Sequence, residues 1–121
     1  MFVYFRCHPR AITRFYQLEC LDRLVHLDVL DLHSNRISRI EGLVALTELR
    51  VLNLAGNNIS AVEGLDFLVA LTELNLRRNL ISVVKSVGHL TSLSRLFLSS
   101  NQISNLESVA RAAGLLCGRP V

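Results

Sequence analysis

Several features common in enzymes, membrane proteins and secreted domains are missing from this 121-residue chain. No apolar run approaches the roughly 18–20 residues needed to cross a bilayer, so a membrane-spanning helix is not expected. The start, MFVYFRCHPRA, lacks a basic segment followed by a long apolar core, and a secretory signal is not expected either. The three cysteines, Cys7, Cys20 and Cys117, are odd in number, widely spaced and form no CxxC pair. That usage fits neither a disulfide framework nor a thiolate metal site, and it favours a reducing compartment. The six glycines are dispersed, so there is no glycine-rich loop to cradle a phosphate. His8, His26, His33 and His89 are scattered, without an HxxxH pair, and Cys7 and His8 would point to opposite faces of a strand. A net charge of +3 is mild and does not by itself imply nucleic acid. Catalysis, a cofactor and a metal are therefore not expected.

What is present is a period. Asn35, Asn57, Asn79 and Asn101 stand 22 residues apart, inside the phrases LDVLDLHSNRI, LRVLNLAGNNI, LTELNLRRNLI and LSRLFLSSNQI. The pattern L-x-x-L-x-L-x-x-N-x-I at a fixed step of this size resembles that of leucine-rich repeats, which stack into a solenoid. With Leu27 as the first position, the units are 27–48, 49–70, 71–92 and 93–114. The first column is Leu27, Leu49, Leu71, Leu93; the fourth is Leu30, Leu52, Leu74, Leu96; the sixth is Leu32, Leu54, Leu76, Leu98. The eleventh is Ile37, Ile59, Ile81, Ile103, and apolar columns continue at Ile40, Val62, Val84, Leu106 and at Leu43, Leu65, Val87, Val109.

Two spacings predict two kinds of backbone. Around L-x-L the apolar residues alternate, as in a strand with one buried face. After the asparagine they recur every third residue, which suits 3₁₀-like turns because i and i+3 eclipse. The expected fold is an α/β leucine-rich repeat solenoid, with a parallel sheet on the concave side and 3₁₀ or short helical turns on the convex side. The four asparagines are expected to form a structural ladder, their amides bonding backbone of the bend and of the next unit. Ser38, Ser60, Ser82 and Ser104 follow the isoleucines and read as turn hydroxyls, since no base accompanies them to make a nucleophile.

The ends depart from the pattern. Residues 15–26 keep Phe15, Leu18, Leu21 and Leu24 and read as the return half of a preceding repeat. Residues 1–14 are degenerate: the strand columns fall on Phe5, His8 and Arg10, and an improvised strand could form from FVYF. Residues 115–121 form a tail. A polar capping element is visible at neither end, so the expectation is a piece of a longer array, or a fragment without independent function.

Between the buried leucines, alternate strand residues face outward from the concave sheet. They form the rows Val29, Val51, Glu73, Arg95, then Asp31, Asn53, Asn75, Phe97, then His33, Ala55, Arg77, Ser99. The candidate partner-binding set is Asp31, His33, Asn53, Glu73, Asn75, Arg77, Arg95 and Phe97. Phe97 is an aromatic on a polar sheet, either a binding hot spot or the floor under a C-terminal segment. Glu73 and Arg95 are expected to pair, and Arg77 and Arg78, with His33 two strands away, give a positive zone suited to an acidic partner.

The unit N-x-I-S-x-[IV], with Glu41-Gly42-Leu43 and Glu63-Gly64-Leu65 following, resembles the intracellular leucine-rich repeat class typified by the nuclear phosphatase-1 regulatory subunit. That class also holds an axonemal dynein light chain and a spliceosomal A-prime protein. Within it, the four phrases over about residues 15–110 are similar to the leucine-rich repeat subunits of tubulin polyglutamylase complexes, on Asp31, His33, Asn53, Asn75, Arg77 and Phe97. The resemblance implies a non-catalytic scaffold whose partners are subunits of that complex or microtubule-associated proteins. It implies a cytoplasmic location, at the cytoskeleton, cilium or centriole, with the nucleus as an alternative. Phosphatase regulation and an RNA-associated role follow from other members of the class; of these, nucleic acid is the less expected partner.

Overall fold

The computed structural model describes residues 25–85 and 89–104, together with the backbone of residues 2–4. The half repeat before residue 25, the tail 115–121, the three cysteines, His8 and the columns at Val87, Leu106 and Val109 lie outside the described residues. Among the described residues there are seven short strands: β1 (Phe2–Tyr4), β2 (Val29–Asp31), β3 (Val51–Asn53), β4 (Ala61–Val62), β5 (Glu73–Asn75), β6 (Val83–Val84) and β7 (Arg95–Phe97). A five-stranded parallel sheet runs β1-β2-β3-β5-β7, and β4 and β6 make a second, two-stranded parallel sheet.

The register of the large sheet repeats the sequence period: Leu30 lies opposite Leu52, Leu52 opposite Leu74, and Leu74 opposite Leu96. Only β1 breaks the step. Val3 pairs with Leu30, an offset of 27 residues, so the strand falls on FVY and not on the column of Phe5, His8 and Arg10. The N-terminal residues have no leucine or asparagine at the 22-residue positions to hold that register.

Leu30, Leu52 and Leu74 are fully buried, as are Leu27, Leu32, Leu46, Leu49, Leu71 and Leu76. One continuous core joins these to Ile37, Ile40, Ile59, Val62 and Ile81. Because a unit buries its leucines only against adjacent units, Leu52→Ala or Leu74→Ala removes contacts from both sides and costs about 2–5 kcal/mol.

The return segments are built from single i→i+3 turns. Leu46 N–H donates to Leu43 O at 3.0 Å, Leu68 N–H to Leu65 O at 3.1 Å and Leu93 N–H to Leu90 O at 3.0 Å. These are the 3₁₀-like turns expected from the every-third-residue spacing, and they do not continue into helices among the described residues. The β4–β6 pairing on this side has no counterpart in the sequence reading, because two bridged residues per unit leave no alternation to detect.

The asparagines stitch unit to unit. Asn57 Nδ2 donates to Leu54 O at 2.8 Å in its own unit and to Leu32 O at 3.1 Å in the preceding one, while its Oδ1 accepts from Ile37 N–H at 3.0 Å. Asn79 repeats these bonds with Leu76, Leu54 and Ile59, and Asn101 with Leu98, Leu76 and Ile81. Asn35 donates to Leu32 O at 2.7 Å. The residue before each asparagine bends the chain through a left-handed conformation: φ is 58° at Ser34, 70° at Gly56, 57° at Arg78 and 60° at Ser100.

Candidate functional site: the open sheet face

The outward rows lie where the alternation puts them. Val29, Val51, Glu73 and Arg95 are in register across four strands, as are Asp31, Asn53, Asn75 and Phe97. Hydrogen bonding carries the ladder past the strand ends, with Ser34 N–H donating to Ala55 O and Arg78 N–H to Ser99 O, so the third row is held on the same surface.

The eight candidate residues divide by what they touch. Asp31 Oδ1 accepts from His33 N–H, Asn53 Oδ1 from Ala55 N–H and Asn75 Oδ1 from Arg77 N–H, each at 3.1 Å. In a parallel ladder every second N–H points away from its neighbour, and these side chains satisfy that N–H locally, as Asx turns do. Asp31, Asn53 and Asn75 thus have a structural role that the sequence reading missed. The signal was an Asp or Asn as the last residue of β2, β3 and β5, two residues before the N–H it accepts from.

His33 belongs with Asp31. Its Nδ1 lies 2.6 Å from Asp31 Oδ1, so the ring faces a carboxylate at the β2 end. Arg77, Arg78 and Arg95 are all exposed. Arg95 Nη1 lies 4.0 Å from Glu73 Oε2, a loose surface pair. Phe97 is half-buried and not fully exposed: the Arg77 guanidinium sits 4.2 Å from its ring centroid, over the face of the ring. The cation meets the negative side of the aromatic quadrupole and also shields the ring from water. The sheet face therefore has polarity, with a carboxylate and imidazole at one end and a guanidinium over an aromatic at the other.

Among the described residues, no group of three or more His, Cys, Asp or Glu side chains is placed to hold a metal. No described helix is long and apolar enough to cross a membrane.

A stack of strand-and-return units with asparagine ladders and an open face of variable residues is the architecture of a repeat interaction module. The leucine-rich repeat family model matches residues 25–67 and 69–111, more than half of the chain, and the chain belongs to that family. Arrays of this family generally serve in protein–protein interaction and not in catalysis. A solved structure of an internalin (inlF) from Listeria monocytogenes is similar over 79% of this chain, at 34% identity and a TM-score of 0.66. The chain spans 29% of that protein's chain. No curated protein matches significantly.

Proposed function

We propose that the chain is a non-catalytic protein-binding scaffold that engages its partner with the sheet face, centred on β5 and β7. The observation that carries this reading is the Arg77–Phe97 contact. An aromatic held flat under a guanidinium offers a rigid apolar surface next to charge, the combination enriched in interface hot spots. A partner segment presenting carboxylates fits the β5–β7 end, and the Asp31–His33 end sets its direction. Pull-down of partners from ciliated cells, with wild type against a Phe97→Ala, Arg77→Glu variant, tests this. Loss of partners from the variant is expected; equal recovery by both proteins would refute the reading.

We further propose that the partner belongs to a tubulin-modifying or other microtubule-associated complex, in the cytoplasm or at cytoskeletal structures. The support is the resemblance carried by the repeat phrases and by Asp31, Asn53, Asn75, Arg77 and Phe97. Affinity purification from ciliated cells followed by mass spectrometry should recover ligase-complex or microtubule-associated subunits, and recovery of phosphatase or RNA-processing proteins would replace this assignment.

A further inference from the structure

Six large hydrophobic residues are exposed among those described, and four of them lie in the loops that lead into β2, β3 and β5: Val25 at 42%, Val44 at 62%, Phe67 at 56% and Val69 at 52%. The fold does not require them there. Val44 shares its repeat column with Asp66, Phe67 shares its column with Ala45 and His89, and Val25 and Val69 share theirs with Thr47 and Thr91. Polar residues are accepted at every one of these positions, so the apolar choices are not set by packing. The 22-residue step puts Val25 and Val69 in one column and Val44 and Phe67 in adjoining columns of successive units, along one flank of the stack.

A recess of about 450 Å³ opens beside the patch, with Val44 on its wall. Ile40, Leu43 and Leu65, all buried, form its apolar base. Gly42 and Gly64, both in left-handed conformations, line it with backbone. The charges around the rim do not cancel evenly. Glu63 is satisfied within the chain, with Lys85 Nζ at 2.9 Å and Arg39 Nε at 3.4 Å. His89 Nε2 bonds Leu65 O at 3.0 Å. Glu41 and Asp66 are exposed and form no ion pair among the described residues. Two carboxylates without an ion pair among the described residues thus border the patch and a recess with an apolar base.

We propose that this flank is a second docking surface, for a protein segment that carries aliphatic or aromatic side chains beside Lys or Arg. The apolar side chains cover Phe67, Val44 and Val69 and enter the recess, and the cations meet Glu41 and Asp66. Uncovered carboxylates disfavour an anionic lipid surface at the same place. The flank site stands independently of the sheet-face reading. Together the two surfaces make the module a bridge between two partners of opposite charge.

The test uses fluorescence anisotropy with a short synthetic Leu/Lys peptide and a matched Leu/Glu peptide. Wild type should bind the first and not the second. Phe67→Ser with Val44→Ser should weaken binding about tenfold or more, with an unchanged thermal melt because both positions are solvent-facing. Glu41→Gln with Asp66→Asn should weaken binding and remove most of its salt dependence. Phe97→Ala with Arg77→Glu should leave it unaltered; loss of peptide binding there would move the site to the sheet face and overturn the proposal. So would equal affinity for the Leu/Glu peptide, no binding by wild type, or Phe67-dependent binding to phosphatidylserine vesicles in place of peptide.

Discussion

The guanidinium of Arg77 lies 4.2 Å from the centroid of the Phe97 ring, joining the end of β5 to β7 across the open sheet face. Arg77 is exposed, so the contact should contribute about 0.5–1 kcal/mol. A double-mutant cycle of Arg77→Ala, Phe97→Ala and both, followed by urea unfolding, should give a coupling energy of that size and sign. Additive single changes would mean that the two side chains do not hold each other, and the preformed hot spot would lose its basis.

The asparagine ladder is uneven in a way that can be measured. Asn79 accepts from Ile59 N–H at 3.1 Å and donates to Leu54 O and Leu76 O, both at 3.0 Å. Among the described residues, Asn35 Oδ1 is the one buried side-chain oxygen or nitrogen without a partner. Asn79→Ala strands the buried Ile59 N–H, whereas Leu54 O and Leu76 O keep their bonds from Asn57 and Asn101, and should cost on the order of 2 kcal/mol. Asn35→Ala strands no such N–H and should cost about 1 kcal/mol less. Chemical denaturation of the two variants compares them directly, and equal losses would show that the acceptor bond carries no net stability.

The parts of this fold that repeat were legible in the sequence, because a strand step of 22 residues puts Leu30, Leu52, Leu74 and Leu96 in one file and leaves no other register open. Alternation alone then placed Glu73 beside Arg95. What could not be read depends on rotamers or on residues outside the period. Whether Asp31 faces a partner or folds back onto His33 N–H is the same letter in the sequence. The contact of Arg77 with Phe97 joins two positions that are neither in one column nor adjacent in the chain. The 27-residue offset of β1 arises where no leucine or asparagine marks the unit.

Two glycines with nearly equal backbone conformations should respond differently to the same substitution. A Cβ at Gly64, where φ is 74°, would fall 2.1 Å from the carbonyl oxygen of Ile40, a backbone atom that cannot swing away. At Gly56, with φ of 70°, the nearest atoms are Ser34 N at 3.4 Å and Ser34 Cα at 3.5 Å, which is ordinary contact. Gly56→Ala should therefore cost only the left-handed penalty, about 1–2 kcal/mol. Gly64→Ala forces adjacent units apart and should cost distinctly more than Gly56→Ala, up to loss of the cooperative transition. Thermal melts followed by circular dichroism decide this, and matching melting temperatures would show that the units separate without penalty at the Glu63–Leu65 turn.

Acid should loosen the array through two carboxylates on its outer edges. The hydrogen bond from Arg50 holds the Asp28 carboxyl below its ordinary value of 3.8, and the hydrogen bond and charge of Lys85, with a smaller contribution from Arg39, hold Glu63 below 4.5. Both groups bind their protons more weakly when folded. Their contribution is thus present in full above the unfolded pKa and is lost as pH falls through the folded one. The loss should begin near roughly pH 5 and continue to below about pH 4. Both pairs bridge adjacent units, 22 residues apart, and both are exposed, so added salt should shrink the effect. Melting temperatures measured down this range at low salt should fall more for wild type than for an Asp28→Asn, Glu63→Gln variant. Parallel curves for the two proteins would assign the acid sensitivity to other groups and leave these ion pairs as surface pattern alone.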